Sequence, residues 1–127
     1  MSRLLADIGL RIKDNGLKKV ILIVALALVS TGAWGYKVFG EGADYCAEYL
    51  AKKQENSVAH YKQIGWVQGF ISGGNVERGR NGGNGSIGEG LDPNSLALWI
   101  ENYCLANPLN DLSDAADALV KELKAKE

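Results

Sequence analysis

Three groups of residues have the types and spacing to support chemistry. Gly83-Asn84-Gly85-Ser86-Ile87-Gly88 matches G-x-G-x-x-G, the pattern in which backbone amides at a helix start cradle a phosphate. That chemistry needs a strand immediately before the motif and a helix opening inside it. Here the motif sits within Gly73–Gly90, where eight of eighteen residues are glycine, and the next helix signal, Asp92-Pro93, comes only after it. No Gly-Lys-Ser/Thr accompanies it. Asn81-Gly82 and Asn84-Gly85 read as turn formers, because both residue types tolerate positive φ. The stretch is therefore expected to be a loop, and no nucleotide or other cofactor is expected.

The second group is the titratable side chains. His60 is the lone histidine and adjoins Tyr61, which suits a surface or half-buried position better than a general base. Asp111, Asp114, Asp117 and Glu122 read as the solvated face of a helix, and no metal-ligand spacing stands out. No catalytic or metal-binding residue is expected, so the chain reads as a non-enzyme.

The third group is the cysteines. Cys46 and Cys104 are the only two, they form no C-x-x-C, and in an oxidising compartment they are expected to pair as a structural disulfide. A long glycine-rich loop in a compact domain often carries function. Asn75, Glu77, Arg78 and Arg80 make the first half of Gly73–Gly90 a polar, charged tip, and these four are the candidate partner-binding residues.

The compartment follows from charge order. The formal net charge of −1 conceals an asymmetry: residues 1–40 carry six basic and two acidic side chains, and residues 41–127 carry eight basic and thirteen acidic ones. Val20–Tyr36 is an uncharged run of 17 residues behind Lys18 and Lys19. Small residues at Ser30–Ala33 fit a signal-peptide exit. The same run, with Trp34 and Tyr36 as interfacial aromatics, also fits an uncleaved transmembrane anchor. Ahead of it, Leu4, Leu5, Ile8 and Ile12 recur at helical spacing. Both readings make residues 1–40 a leader and residues 41–127 an exported, periplasmic domain, free or tethered to the inner membrane through residues 20–36. The acidic body argues against a nucleic-acid partner, which needs a basic face.

Four helices can be placed in the exported part. One runs from Asp44 to about Lys53 around Cys46. Ser57 caps a second, whose stripe is Tyr61, Ile64, Val67/Gln68 and Ile71. Asp92-Pro93 opens a third, with Leu96, Trp99, Ile100 and Tyr103 inward and Asn107-Pro108 as its stop. Asp111 or Ser113 caps a fourth, with Ala116, Leu119, Val120 and Leu123 inward. No segment alternates as a strand. The fold class is all-α: a small bundle of about four helices with one disulfide, preceded by a signal or transmembrane helix.

Tyr45-Cys46, Gly65-Trp66-Val67-Gln68-Gly69-Phe70-Ile71-Ser72-Gly73, Asp92-Pro93, Leu98-Trp99, Asn102-Tyr103-Cys104-Leu105-Ala106-Asn107-Pro108, Ala115-Ala116 and Leu119 together resemble the Tai-type immunity proteins. These are small periplasmic helical domains that neutralise type VI secretion amidase effectors. The resemblance spans about 44–124. It implies a bridge tying the first helix to the third, and inhibition of a cell-wall amidase by a protruding loop, commonly from a homodimer. The matching loop here is Gly73–Gly90, whose glycine content and lack of a large apolar anchor depart from the family's plug. The long leader departs as well, and suits the other reading: a membrane-anchored structural or accessory subunit of an inner-membrane complex.

Overall fold

The computed structural model describes Gly16, Lys18, Lys19 and residues 35–127. Apart from Gly35 and Tyr36, the segment expected to be a signal or anchor lies outside the described residues, as does the Leu4–Ile12 stretch. Among the described residues no helix is long and apolar enough to cross a membrane. Lys37–Glu127 forms one compact unit, which begins a few residues ahead of the boundary expected after residue 40. The cause is local. The Phe39 carbonyl accepts the Trp66 indole N–H at 2.9 Å, and the 3-10 turn Gly40–Ala43 that follows lies against the same indole.

The unit consists of that turn and four helices: α1 (Cys46–Gln54), α2 (Val58–Arg80), α3 (Pro93–Ala106) and α4 (Leu112–Ala125). No strand occurs among the described residues; Tyr45 and Asp111 form an isolated antiparallel bridge. Around it, Cys46 N–H donates to Asn110 O at 2.8 Å and Leu112 N–H to Asp44 O at 2.9 Å, so the starts of α1 and α4 are tied together.

Each helix end has an identifiable cause. Asn56, at φ 48°, closes α1: the N–H groups of Asn56 and Ser57 return to the carbonyls of Lys53 and Lys52, a left-handed cap that asparagine tolerates. The Ser57 hydroxyl then caps α2 by accepting from His60 N–H. Asp92 caps α3 by accepting from Asn94 and Ser95 N–H at 2.9 and 3.0 Å, with Pro93 at the first position. At α4 the cap residue is Asp111, whose N–H donates to Asp114 Oδ2 at 3.1 Å; Ser113 is buried inside the helix.

The core is built from Cys46 and Tyr49 of α1, Ile64, Val67 and Ile71 of α2, Leu96, Ile100 and Cys104 of α3, and Leu112, Ala115, Ala116 and Leu119 of α4. The Cys46–Cys104 disulfide joins the first turn of α1 to the end of α3 across 58 residues of sequence, with its Cα atoms 4.8 Å apart. The expected stripes hold at Ile64, Val67, Ile71, Leu96 and Ile100. Tyr61 departs: it stands 62% exposed, its hydroxyl donating to Asn56 Oδ1 at 3.2 Å. His60 takes the inward position beside it and is buried.

Candidate functional site

The largest departure concerns Gly73–Gly90. α2 does not stop at the first glycines but continues to Arg80, so Asn75, Glu77, Arg78 and Arg80 stand on a helix rather than on a loop tip. Each mid-helix glycine costs roughly 1 kcal/mol relative to alanine, which is why the composition reads as loop. The helix is held by tertiary contacts instead. Ile71 packs in the core, and Asn75 bonds Ile87 through both ends of its amide, donating to the carbonyl at 2.9 Å and accepting the N–H at 3.0 Å. Gly85 comes so close that a Cβ there would stand 2.8 Å from Asn75 O and 3.6 Å from Gly79 Cα. Gly82, at φ 76°, and Gly83 finally end α2 by returning N–H groups to the carbonyls of Gly79 and Arg78.

Most of the candidate residues therefore brace the fold. Arg78 Nε donates to Asn84 O at 2.7 Å and its guanidinium pairs with Glu127 at 3.3 Å. Glu77 accepts from Asn81 Nδ2 at 2.9 Å. Arg80 is exposed. The amides of the G-x-G-x-x-G stretch are turned inward as well. Gly83 N–H serves Arg78 O, Ser86 N–H serves Asn84 Oδ1 and Ile87 N–H serves Asn75 Oδ1, and no helix opens before Pro93. That is the opposite of a phosphate cradle, whose amides point at the ligand.

The surface that reading by motif missed is the outward face of α2. From Gln63 to Val76 no side chain carries a charge. Trp66 and Phe70, four residues apart, stack with ring centroids 5.6 Å apart, and Phe70 and Val76 are exposed. Gly65, Gly69 and Gly73 recur at four-residue spacing on the same side. An ideal Cβ at any of the three would meet nothing within 4 Å. Packing within the unit thus accounts for Gly85 but not for these three, nor for Gly74 and Gly79, which lower helix stability with no internal return. Beside them, α2 and α4 enclose an apolar groove of about 580 Å³ floored by Gly69, Gly73 and Gly74 and walled by Phe70, Ile87 and Val120. The signal was present in the sequence: an exposed helix is normally polar on one face, and apolar residues distributed all round α2 mark a helix with something on both sides.

A second depression, of about 340 Å³, is lined by Lys53, Asn56, His60, Tyr61 and Leu98. His60 packs edge-on against Tyr49 with centroids 5.2 Å apart, and its Nδ1 is buried without a hydrogen-bond partner. Desolvation, reinforced by Lys53, holds its pKa below the ordinary histidine value, so the ring sits neutral in the fold. Lys53 in turn pairs with Glu101. The Tyr49 hydroxyl donates to Ala97 O at 2.9 Å, and burial pushes its pKa well above the ordinary phenol range. Among the described residues, no three His, Cys, Asp or Glu side chains gather closely enough to hold a metal ion.

Comparison of the chain with family models, with curated proteins and with solved structures yields no match.

Proposed function

We propose that Lys37–Glu127 is a non-catalytic protein-binding module, and that it acts in the periplasm as an immunity protein against a cell-wall amidase effector. One observation carries the binding role: the uncharged face of α2, where exposed Phe70 and Val76, stacked Trp66 and three internally unexplained glycines adjoin an apolar groove. Aromatic anchors beside small residues are the composition of an interface core rather than of a solvated surface. The amidase as target is supported by the resemblance of Gly65–Gly73 and Asn102–Pro108 to Tai-type proteins. The test is co-expression with an exported amidase effector encoded beside this chain. Growth should be restored by the full chain and lost with Phe70→Glu; continued lysis with the unaltered chain would reject the immunity role.

A second reading, a membrane-anchored accessory subunit of an inner-membrane complex, is favoured by the uncharged run Val20–Tyr36 behind Lys18 and Lys19. Retention in membranes after a carbonate wash, with co-purification of a larger assembly, would select it.

A further inference from the structure

We propose that the segment after α2 is a self-modifying site: Asn84 loses its side-chain amide nitrogen to attack by the backbone nitrogen of Gly85 and becomes aspartate or isoaspartate. The fold directs this reaction to Asn84 rather than to Asn81. The proposal goes beyond the protein-binding reading and does not depend on it. Asn-Gly is the sequence in which the reaction is intrinsically easiest, because glycine has no side chain to keep the two groups apart. The chain holds three such pairs, Asn15-Gly16, Asn81-Gly82 and Asn84-Gly85, of which Asn15 lies outside the described residues.

The reaction needs an amide nitrogen that can give up its proton, a side-chain carbonyl that can carry negative charge, and water. Gly85 N–H makes no hydrogen bond among the described residues. The peptide group it belongs to is held at its oxygen, where Arg78 Nε donates to Asn84 O at 2.7 Å. When the nitrogen loses its proton the charge spreads onto that oxygen, against the guanidinium. The charge that then develops on Asn84 Oδ1 meets two donors, Ser86 N–H at 3.0 Å and the Ser86 hydroxyl at 2.5 Å, in the manner of an oxyanion hole. On the other side Asn84 Nδ2 donates to Glu127 Oε1 at 3.1 Å. A carboxylate only accepts and a backbone N–H only donates, so these contacts fix which end of the amide is oxygen. Asn84, Gly85 and Ser86 are all exposed, so water reaches them.

The bonds balance with water as the only co-reactant. A solvent base takes the Gly85 proton, and the nitrogen bonds to Asn84 Cγ as the carbonyl electron pair moves onto Oδ1. When that pair returns, the Cγ–Nδ2 bond breaks and the nitrogen leaves with a solvent proton as ammonia, giving a cyclic imide. Water opens the imide at either carbonyl, to aspartate or isoaspartate. Asn81 lacks this support. Its Gly82 N–H is committed to Gly79 O at 3.2 Å, and its Oδ1 accepts from no group among the described residues. The product also undoes the site that made it. A carboxylate replaces the donor that faced Glu127, and isoaspartate lengthens the backbone just ahead of Gly85, where even a Cβ would crowd Asn75 O.

The full chain, purified in mild detergent, is incubated at mildly alkaline pH, both folded and in urea. Peptide mass spectrometry with fragmentation then follows conversion at Asn81 and Asn84 separately. In the folded protein Asn84 should convert about tenfold or more faster than Asn81, the factor expected from one or two hydrogen bonds to developing charge. It should also convert faster than it does in urea, where the difference between the two sites is lost. Ser86→Ala removes the hydroxyl donor from an exposed position, and Arg78→Gln removes the cation. Each should slow the folded rate at Asn84 severalfold and leave the rate in urea unchanged, with melting curves showing that the variants are folded. The converted protein, separated by ion exchange, should melt below the unconverted protein. Conversion at Asn84 no faster than at Asn81 in the folded chain, or no faster folded than in urea, overturns the proposal. So does a folded rate that neither substitution changes.

Discussion

One side-chain amide fastens the glycine-rich segment to the helix that precedes it: Asn75 on α2 both donates to and accepts from the backbone of Ile87, twelve residues on. The pairing imitates one rung of a sheet and lets Ile87 bury itself to 4% exposure. Asn75→Ala removes both bonds and strands the Ile87 N–H and C=O in a half-buried setting. It should cost about 2 kcal/mol, within the range for orphaned buried groups. Asn75→Asp keeps the acceptor but sets a carboxylate oxygen toward the Ile87 carbonyl, and should cost at least as much. Denaturant midpoints measure the cost. Faster amide exchange at Ile87, with exchange in α3 unchanged, would show that the loss is local.

Gly42 is required by a different neighbour. Its Cα lies so close beneath the Trp66 indole that any Cβ would overlap Cζ2 of the ring. The indole is also held by its bond to Phe39 O and cannot easily move away. Gly42→Ala is therefore expected to destabilise by about 1–3 kcal/mol as an overpacking substitution. It should shift the tryptophan emission as the ring is displaced. Combining it with Trp66→Leu should recover part of the loss; strictly additive effects in the double-mutant cycle would refute the contact as the cause.

Local signals made much of this fold legible in the chain. Ser57 and Asp92-Pro93 announce helix starts because their side chains or ring serve the first turn directly, whatever lies around them. Ile64, Val67, Ile71, Leu96 and Ile100 mark a buried stripe because helical spacing alone brings them together. The end of α2 was not legible in this way. Gly73, Gly74 and Gly79 weaken a helix intrinsically, and what holds them helical is the later segment 83–87 folding back through Asn75, Arg78 and Gly85. His60 and Tyr61 exchanged their expected places because neighbouring positions differ by one helical step. The aromatic face at Trp66 and Phe70 was in plain sight in Gly65–Gly73, but which side of α2 would remain uncovered depended on where α3 and α4 packed.

The disulfide closes the loop between α1 and α3, and both sulfurs lie fully buried in the core. A unit of this size buries little surface per residue, so constraining its unfolded chain matters more than in a large domain. Closing 58 residues of sequence should contribute about 4 kcal/mol in the chain-entropy account. Replacing both cysteines by serine should lower the melting temperature markedly, by more than any single surface substitution. An unchanged value would show that the packing of α1 on α3, with the Tyr49 hydroxyl donating to Ala97 O at 2.9 Å, suffices to hold the two helices.

His60 should make the fold sensitive to mild acid. Desolvation first, and Lys53 second, lower its folded pKa below the unfolded value near 6.5, with Glu101 opposing only in part. Between those two values the unfolded chain binds a proton that the folded chain does not, so stability rises with pH through that window. Above about pH 6.5 both states hold the ring neutral and the contribution is fully present. On acidification it is lost until the folded pKa is passed. His60→Phe keeps an aromatic ring edge-on to Tyr49 and removes both the titration and the unpartnered Nδ1. Urea midpoints compared at about pH 7.5 and about pH 5.5 should fall for the unaltered protein and fall distinctly less for the variant. Equal falls would show that His60 is not the source of the acid sensitivity.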